Sequence, residues 1–392
     1  MKKILLISLD FLDKSFIQNS ITFIKYSINN NNIVCLYSID ENRIREHTVL
    51  VDKINSESNQ QKVYIMNRTK INSIASSDHK NFFVVIGKKN KDFELAVNNK
   101  LLFLTPTWLD NIEDKAYKYA IKIKDYLQLK NFLDTLNNQK TWYSSNTLPD
   151  GTYIYSLADS RYNSYARSLK EREIDIIFEN ILKKGSLYQY EIYLYHFLSS
   201  VSNYNHIFND INHWGIFPSS NGKLLGNEMF NFKEKVRYMM KGQPLRAESY
   251  KEYPNILIRH TSRSKTHGKL SPQVRISNGC KLHFPTICLN PAYKNKIIGK
   301  NVCIFDDYLT HGNSFETTRN LLRKAGAKKI VFVTLGTYMN KYQYQNYELY
   351  GDIFSKNYDY KLINRSEISS DKFSINKNAK IEVENLYNIF NL

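Results

Sequence analysis

Two adjacent carboxylates, Asp306 and Asp307, stand just before a loop of small and polar residues. The loop covers residues 310–314 and consists of Thr310, His311, Gly312, Asn313 and Ser314. At the start of a helix, such a loop offers backbone N–H groups and hydroxyls to an anion, and its glycine lets the backbone approach the ligand. The carboxylates can accept hydrogen bonds from sugar hydroxyls or hold a cation. The spacing therefore predicts a site for a phosphate beside a diol, as in ribose 5-phosphate.

The flanking residues predict the elements that position this site. Residues 302–305 are a short apolar run of strand composition. After the loop, apolar residues are spaced for one face of a helix that ends at Gly326. Residues 330–335 form a second apolar run. This order predicts two parallel strands joined by a right-handed crossover, with the site at the carboxyl end of the first strand.

The stretch over residues 302–314 resembles the phosphoribosyl pyrophosphate motif of the type I phosphoribosyltransferases. That motif has four apolar residues, two acids, two variable residues, then Thr, any residue, Gly, any residue and Ser or Thr. Tyr308 and Leu309 are the two variable residues before Thr310, and the one departure is His311, which stands where a small residue is more usual. The alternative interpretation is an ordinary Rossmann-like crossover with an acidic strand end.

The resemblance implies a magnesium-dependent glycosyltransferase of nucleotide metabolism that binds phosphoribosyl pyrophosphate. It would transfer ribose 5-phosphate to a nitrogen nucleophile of an unidentified base or amine and release pyrophosphate. Asp306 and Asp307 would hold the ribose hydroxyls, with Mg²⁺ bridging the sugar and the pyrophosphate. Residues 310–314 would bind the 5-phosphate.

Two upstream segments fit a pyrophosphate site. Ser219 and Ser220 begin a turn that ends at Gly222, and the family has a short loop of this kind that binds pyrophosphate through backbone N–H groups; an ordinary surface turn is the alternative. Residues 260–268 form a basic, glycine-ended loop that resembles the catalytic hood of orotate phosphoribosyltransferase. Its cations, Arg263, Lys265 and His267, would neutralise charge on the leaving pyrophosphate. A solvated basic hairpin loop is the alternative there.

The first third of the chain predicts a second α/β unit. Apolar runs at residues 4–9, 33–37, 63–66, 82–86 and 100–105 alternate with helical patterns, which is typical of a parallel sheet with its site at the strand carboxyl ends. This unit resembles the haloacid dehalogenase-like phosphatases. Asp10 would be the nucleophile, Ser38 the phosphate-binding hydroxyl, Lys70 the charge-stabilising lysine and Asp92 the metal-binding acid.

Two departures from that family indicate a degenerate phosphatase-like site. Leu12 replaces the general acid, and Lys88 replaces the acid that follows the glycine of the last motif. Both changes should weaken Mg²⁺ binding and protonation of the leaving group. We therefore expect this unit to bind a ligand or to pack against the rest of the chain rather than to cleave a phosphate ester. The alternatives are an unrelated α/β domain and an active phosphatase.

The fold class expected from these patterns is α/β, with two Rossmann-like parallel-sheet domains. Turn-forming residues at 138–151 place the boundary between a domain at 1–140 and a phosphoribosyltransferase domain at 152–340. The second domain carries a helical insertion, with helices predicted at 167–184 and 187–201 that could form a cap or a dimer contact. We expect a homodimer. Residues 341–392 form a C-terminal extension that ends in a short helix from residue 381.

Composition limits the class of protein. The 392 residues carry a net charge of +18, which favours phosphorylated metabolites or nucleic acid as partners, although a codon bias is an alternative source of the charge. The sequence contains no run of 18 or more apolar residues, so it predicts no membrane-spanning helix. The four cysteines lack metal-site spacing, and we expect a cytoplasmic protein.

Two hypotheses about function follow from the sequence. The first is a phosphoribosyltransferase, and its fusion to a degenerate phosphatase-like unit suggests a specialised bacterial stress or phage-defence system. The second is a non-catalytic regulator that senses phosphoribosyl pyrophosphate and binds nucleic acid.

Overall fold

The computed structural model describes the chain except for residues 1, 13, 60–61, 77–81, 139–141, 162–168, 171, 174–175, 177–189, 202–204, 225, 264–270 and 391–392. The described chain contains two six-stranded sheets and two separate two-stranded ribbons.

The first sheet is entirely parallel, with the strand order β3-β2-β1-β4-β5-β6. Its central strands are continuous apolar runs because helices cover both of their faces. The sequence predicted the first five strands and missed β6, which has only three residues. The strands are β1 (Ile4–Ser8), β2 (Ile33–Ser38), β3 (Val63–Asn67), β4 (Phe83–Ile86), β5 (Leu102–Pro106) and β6 (Ile121–Ile123).

Six helices connect and cover this sheet, and side chains cap several of their N-termini. The Asp40 carboxylate accepts hydrogen bonds from the backbone N–H groups of Asn42 and Arg43 at the start of α2. The Asn67 side chain does the same for the backbone N–H of Lys70 at the start of α3. The helices are α1 (Ile17–Asn29), α2 (Glu41–Ser58), α3 (Arg68–Ala75), α4 (Asn90–Asn99), α5 (Asp114–Tyr119) and α6 (Tyr126–Asn138).

The second sheet is mixed, with the strand order β16-β7-β8-β13-β12-β9. Strands β8, β13, β12 and β9 run parallel, whereas β7 and β16 add an antiparallel edge. The predicted parallel pairing of the two strands around residues 302–335 is confirmed. The strands are β7 (Ser144–Thr147), β8 (Tyr153–Asp159), β9 (His213–Ile216), β12 (Asn301–Leu309), β13 (Lys329–Thr337) and β16 (Ser374–Ile375).

Two antiparallel ribbons and seven helices complete the described chain. The ribbons are β10 (Leu257–Arg259) with β11 (Ile287–Leu289), and β14 (Tyr342–Gly351) with β15 (Tyr358–Ile368). The helices are α7 (Tyr190–Val201), α8 (Asn205–Phe208), α9 (Glu228–Met239), α10 (Glu248–Glu252), α11 (Pro272–Asn278), α12 (Asn313–Lys324) and α13 (Asn378–Phe390). The predicted helix at 187–201 and the final helix are confirmed where described, and most of the helix predicted at 167–184 lies outside the described residues.

The second sheet is buried on both faces, and alternate residues of β12 point to different cores. Cys303 and Phe305 belong to a large core that also contains the strands of the first sheet. Val302 and Ile304 belong to a second core with Phe315, Leu321 and Leu322 of α12. The first sheet and one face of the second therefore share a continuous hydrophobic core, while the other face is covered by α12.

Parallel strands alternate with helices in both halves of the described chain, so the fold class is α/β. Among the described helices, none is both long enough and apolar enough to cross a bilayer.

Candidate functional site

The two carboxylates lie near the carboxyl end of β12 and inside the strand, whereas the sequence predicted a strand that ends at residue 305, just before them. Strand β12 continues to Leu309 because its ladder with β13 continues, with Asp306 opposite Thr334 and Leu309 opposite Thr337. The backbone hydrogen bonds between β12 and β13 therefore position the two acids. Sites in open α/β sheets form at this edge of the strands.

Local hydrogen bonds hold the acid pair. The Asp306 carboxylate accepts a hydrogen bond from the backbone N–H of Asp307 at 3.0 Å, and the Asp307 carboxylate accepts one from the N–H of Tyr308 at 2.7 Å. The Ser314 hydroxyl donates to Asp306 and so joins the acids to the first turn of α12. Burial, and then the charge of Asp307, raise the pKa of Asp306 well above its ordinary value. A carboxyl perturbed in this way at a strand end is typical of a functional site.

The loop between β12 and α12 is short and is opened by Gly312. This residue has φ +82°, and a Cβ there would lie 2.2 Å from the Tyr342 ring, so only glycine fits. No side chain caps the N-terminus of α12. His311 is buried, with its ring nitrogen Nδ1 3.4 Å from the carbonyl oxygen of Lys341, and Thr310 is partly exposed. The backbone N–H groups at this helix start are thus arranged for an anion.

The Asn313 side chain has a structural role. Its amide donates to the carbonyl of Arg275 at 2.9 Å and accepts from the Gln345 amide at 3.1 Å. It joins α11 and β14 to the start of α12. Only its backbone remains as a candidate for ligand binding.

The second predicted loop lies at the same sheet edge. It follows β9, which pairs in parallel with β12, so the carboxyl ends of both strands are neighbours. Ser219 begins a turn closed by a hydrogen bond from the N–H of Gly222 to its carbonyl at 3.0 Å, and Gly222 has φ +71°. The Ser219 hydroxyl donates to Asn221, while the carbonyl of Ser220 accepts from the N–H of Arg263 at 2.9 Å. The structure therefore brings this turn, Arg263 and the acid pair to one edge.

Arg259 is a site residue that the sequence reasoning missed. Its guanidinium is buried and donates to the carbonyls of Ser219 and Pro218, at 2.7 and 3.2 Å, and to the Thr286 hydroxyl at 2.6 Å. All three acceptors are neutral oxygens, and within the described part of the chain Arg259 forms no ion pair. Its position at the end of a short apolar run was the only signal in the sequence.

Arg259 and Arg263 form a cationic cluster behind this turn, and the ring of His283 packs beside it. Nη1 of Arg263 lies 3.3 Å from Nδ1 of His283. Burial, followed by the charges of the two arginines, lowers the pKa of His283 well below its ordinary value. Burial and the charge of Arg263 lower the pKa of Arg259 to about 10, whereas Asp306 acts in the opposite direction. Concentrated positive charge of this kind favours a polyanion nearby.

Lys265 and His267 of the predicted hood lie outside the described residues, and their predicted roles remain predictions. Arg259 at the end of β10 and the described Arg263 place the start of this loop next to the turn after β9.

The acids suit a magnesium ion held together with a substrate. Among the described residues, no group of three or more His, Cys, Asp or Glu side chains could hold a metal by itself. Mg²⁺ is commonly bound by one or two carboxylates plus substrate phosphates, and Asp306 and Asp307 supply such a donor set.

The predicted phosphatase-like residues are only partly assembled. Asp10 lies at the carboxyl end of β1 and forms ion pairs with Arg43 at 2.7 Å and Lys89 at 2.9 Å. The Ser38 hydroxyl accepts from the N–H of Asp40 at 3.1 Å, and Lys70 is exposed on α3. Two cations therefore pair with Asp10, where the resemblance to the phosphatases would imply a metal.

Asp92 caps α4 instead of facing a metal. One oxygen accepts from the Tyr37 hydroxyl at 2.8 Å, and the other from the backbone N–H groups of Lys88 and Lys89 at 3.1 and 3.0 Å. Gly87 is needed because a Cβ there would lie 2.4 Å from the Asp92 carboxylate. With both oxygens engaged and the side chain buried, this donor set does not fit Mg²⁺.

A cavity of about 410 Å³ lies away from the acid pair, at the other end of α12. Its lining includes Asp150, Arg323 and Tyr347. Arg323 and Asp150 form an ion pair there at 3.0 Å. The lining contains neither the acid pair nor the loop at residues 310–314, so this cavity is separate from the predicted phosphoribosyl pyrophosphate site.

Comparisons with protein-family models, with curated protein sequences and with solved structures return no match for this chain.

Proposed function

We propose that this chain is a phosphoribosyltransferase that binds phosphoribosyl pyrophosphate at the carboxyl edge of the second sheet. The observation that carries this proposal is the meeting of three parts at one edge. These are the acid pair on β12, the glycine-opened start of α12 and the turn after β9 with its cationic cluster. A diol, a phosphate and a pyrophosphate could each find complementary groups there.

The proposed roles follow from position. Asp306 and Asp307 accept hydrogen bonds from the ribose hydroxyls, and the N–H groups at the start of α12 bind the 5-phosphate. The turn at Ser219 and Ser220 and the guanidinium of Arg263 face the pyrophosphate. As the bond from C1 to the pyrophosphate oxygen breaks, negative charge grows on that oxygen and positive charge on the ribose ring. Fixed cations on one side and carboxylates on the other would stabilise that separation.

Mg²⁺, when bound with the substrate, would neutralise pyrophosphate charge, and Asp306 and Asp307 are the residues that would hold it. The raised pKa of Asp306 fits this role because a bound cation and sugar hydroxyls would favour the ionised carboxylate.

The second candidate is a sensor that binds phosphoribosyl pyrophosphate without turning it over and contacts nucleic acid. The net charge of +18 favours it. A sensor has no need of a loop that closes over a leaving group, so the basic loop at residues 260–268 favours the enzyme.

Pyrophosphate release separates the two candidates. We expect wild type, given phosphoribosyl pyrophosphate, Mg²⁺ and a panel of bases and amines, to release pyrophosphate with at least one acceptor. Arg259→Gln should lower the rate by about tenfold or more, because the charge-assisted hydrogen bonds that hold the turn at Pro218 and Ser219 would be lost. Lys251→Gln, at an exposed lysine on α10, is the matched control. Binding without release, together with salt-sensitive nucleic-acid binding, would favour the sensor.

A further inference from the structure

Two basic turns meet at the amino edge of the second sheet, near the opposite end of β12 from the acid pair. Residues 294–300 come directly before β12, and residues 323–329 connect α12 to β13. The two strands are parallel neighbours whose first residues, Asn301 and Lys329, lie opposite each other. Both turns therefore lie where the strands begin, whereas ligand sites of open α/β sheets form at the carboxyl ends.

Backbone hydrogen bonds join the two turns into one surface, which we call the basic edge. The N–H of Gly299 donates to the carbonyl of Gly326 at 2.8 Å, and the N–H of Lys328 donates to the carbonyl of Lys300 at 2.9 Å. Gly299 and Gly326 have φ of +69° and +82°, a conformation that glycine adopts without strain. The main chain therefore fixes the positions of the two turns relative to each other.

The basic edge contains many cations and no acidic residue of its own. Its sequences are KNKIIGK at residues 294–300 and RKAGAKK at residues 323–329. Three of the cations have an acidic partner outside the two turns, so the protein itself neutralises them. These pairs are Lys294 with Asp352 at 2.9 Å, Arg323 with Asp150 at 3.0 Å, and Lys329 with Asp210.

The other four cations are lysines whose charge the described part of the chain does not compensate. Lys296, Lys300, Lys324 and Lys328 are exposed, and among the described residues none of their ammonium groups forms an ion pair. Lys300 and Lys328 are joined through their backbones, so their charges are held in neighbouring positions. Like charges repel each other, and a polyanion that approaches them lowers the electrostatic energy.

The structure of the basic edge indicates which kind of nucleic acid it fits. Lysine ammonium groups are point charges that contact phosphate oxygens. Recognition of base sequence in a duplex requires a helix or a β-ribbon that enters the major groove, and single strands bind on exposed aromatic rings. The two turns, which the structure describes completely, offer no such element and contain no aromatic residue. They fit the phosphate backbone of a duplex.

A membrane with anionic lipids is the other polyanion to consider, and the apolar content of the basic edge does not favour it. Ile298, which is 62% exposed, is the only large hydrophobic side chain that the two turns expose, because Ile297 is buried. Stable attachment to a membrane requires a large apolar surface or a lipid chain in addition to basic charge. One isoleucine does not supply such a surface.

We propose that the basic edge binds the phosphate backbone of double-stranded nucleic acid without regard to base sequence, through Lys296, Lys300, Lys324 and Lys328. The net charge of +18 adds long-range attraction for the same partner. The surface is separate from the candidate phosphoribosyl pyrophosphate site, so the inference does not depend on the proposed function. It also differs from the sensor hypothesis, because binding at the basic edge requires no phosphoribosyl pyrophosphate.

The experiment is a fluorescence anisotropy titration of the full chain into a short labelled DNA duplex of mixed sequence, at KCl concentrations from about 50 to 200 mM. One variant replaces the four lysines of the basic edge by Gln, and a second replaces them by Arg, which keeps the charge. The matched control replaces four lysines that are exposed elsewhere by Gln: Lys115, Lys361, Lys372 and Lys377. Sedimentation with phosphatidylserine vesicles tests the lipid surface.

We expect wild type, the Arg variant and the control to bind the duplex with similar affinity, and the Gln variant of the basic edge to bind about tenfold or more weakly. The slope of log K against log salt concentration should fall in magnitude by about 3 to 4 in that variant, because four phosphate contacts are lost.

Three results would overturn the proposal. The first is a wild type that does not bind the duplex, whether or not it binds the vesicles. The second is equal affinity of the Gln variant of the basic edge and the control, which would assign binding to the net charge alone. The third is an unchanged salt slope in the Gln variant.

Discussion

Asp306 and Asp159 are two acids at the same sheet edge whose environments act in opposite directions. Burial and the charge of Asp307 raise the pKa of Asp306. Burial also opposes ionisation of Asp159, but hydrogen bonds from Arg161 and Tyr143 outweigh it and hold the pKa of Asp159 below its ordinary value. Asp159 is therefore a structural anion, whereas the hydrogen bonds to Asp306 do not offset its burial and the charge of Asp307.

These directions predict opposite effects on stability. A raised folded-state pKa means that the free energy of unfolding falls as the pH rises through the window above the unfolded pKa. Asp306→Asn should therefore raise the melting temperature at pH 7, with the gain vanishing below about pH 4. A lowered pKa contributes stability that is present at pH 7 and lost in acid, so Asp159→Asn should lower the melting temperature at pH 7.

Thermal unfolding monitored by circular dichroism from pH 3 to pH 8 checks both signs. A destabilised Asp306→Asn at neutral pH would mean that the carboxylate of Asp306 already has a stabilising partner in the free protein, against the interpretation of this residue as a ligand-binding acid.

Gly312 is the residue on which the geometry of the phosphate loop depends. Gly312→Ala would place a methyl group in the Tyr342 ring and hold a side chain at φ +82°. We expect a loss of about 1–3 kcal/mol in the free energy of unfolding and a larger loss of phosphoribosyl pyrophosphate affinity. Gly151→Ala, also at positive φ but with no heavy atom within 4 Å of the added Cβ, controls for backbone strain. Equal effects on ligand affinity in both variants would contradict a role for Gly312 in the site.

The sequence predicted those site residues that belong to one local motif. Asp306, Asp307 and Gly312 follow one another on one strand and loop, so their types and spacing were sufficient. Arg259 and His283 become site residues only because β9 and β10 bring distant segments together. No local pattern marks such residues, since their environment is made by the fold.

At the scale of elements, α12 is fixed against the β14–β15 ribbon by a buried ion pair. Arg319 binds Glu316 at 2.6 Å, and both side chains are almost fully buried. Glu316 also accepts from the Tyr342 hydroxyl at 2.6 Å and from the N–H of Gln345 at 2.8 Å. Since the Tyr342 ring lies over Gly312, this network supports the phosphate loop from behind.

Glu316→Gln tests that support. Removing one partner leaves the buried guanidinium of Arg319 with less compensation, and we expect a loss of about 3–5 kcal/mol in the free energy of unfolding. Glu57→Gln breaks an exposed pair with Lys25 and should change stability little. Chemical denaturation of both variants makes the comparison. A Glu316→Gln variant as stable as Glu57→Gln would show that the network does not hold α12.

The elements that the sequence predicted are those with a strong local signal. The apolar strands and the final helix have one, and both are present. The β14–β15 ribbon was missed because polar residues alternate with its tyrosines, of which Tyr342 and Tyr344 are buried. Strand β12 extends over Asp306 and Asp307 because pairing with β13 continues, and pairing between strands is not visible in a local window.

At the scale of the whole molecule, the first sheet and one face of the second share a hydrophobic core. Helix α13 contributes Val383 and Leu386 to it, and the Gln128 amide of α6 donates to the carbonyl of Ile389 at 2.8 Å. The C-terminal segment thus joins both halves of the chain. The net charge of +18 acts at this same scale, because a positive net charge attracts anionic ligands.

The central claim is that the carboxyl edge of the second sheet binds phosphoribosyl pyrophosphate. Its most direct test is calorimetric titration of that compound, with Mg²⁺, into wild type and into Asp306→Asn/Asp307→Asn. Asp359→Asn/Asp371→Asn, at two exposed acids, is the control with the same change in charge. We expect binding in wild type and in the control, and none in the Asp306/Asp307 variant. Absence of binding in wild type, or equal affinity in all three proteins, would contradict the claim.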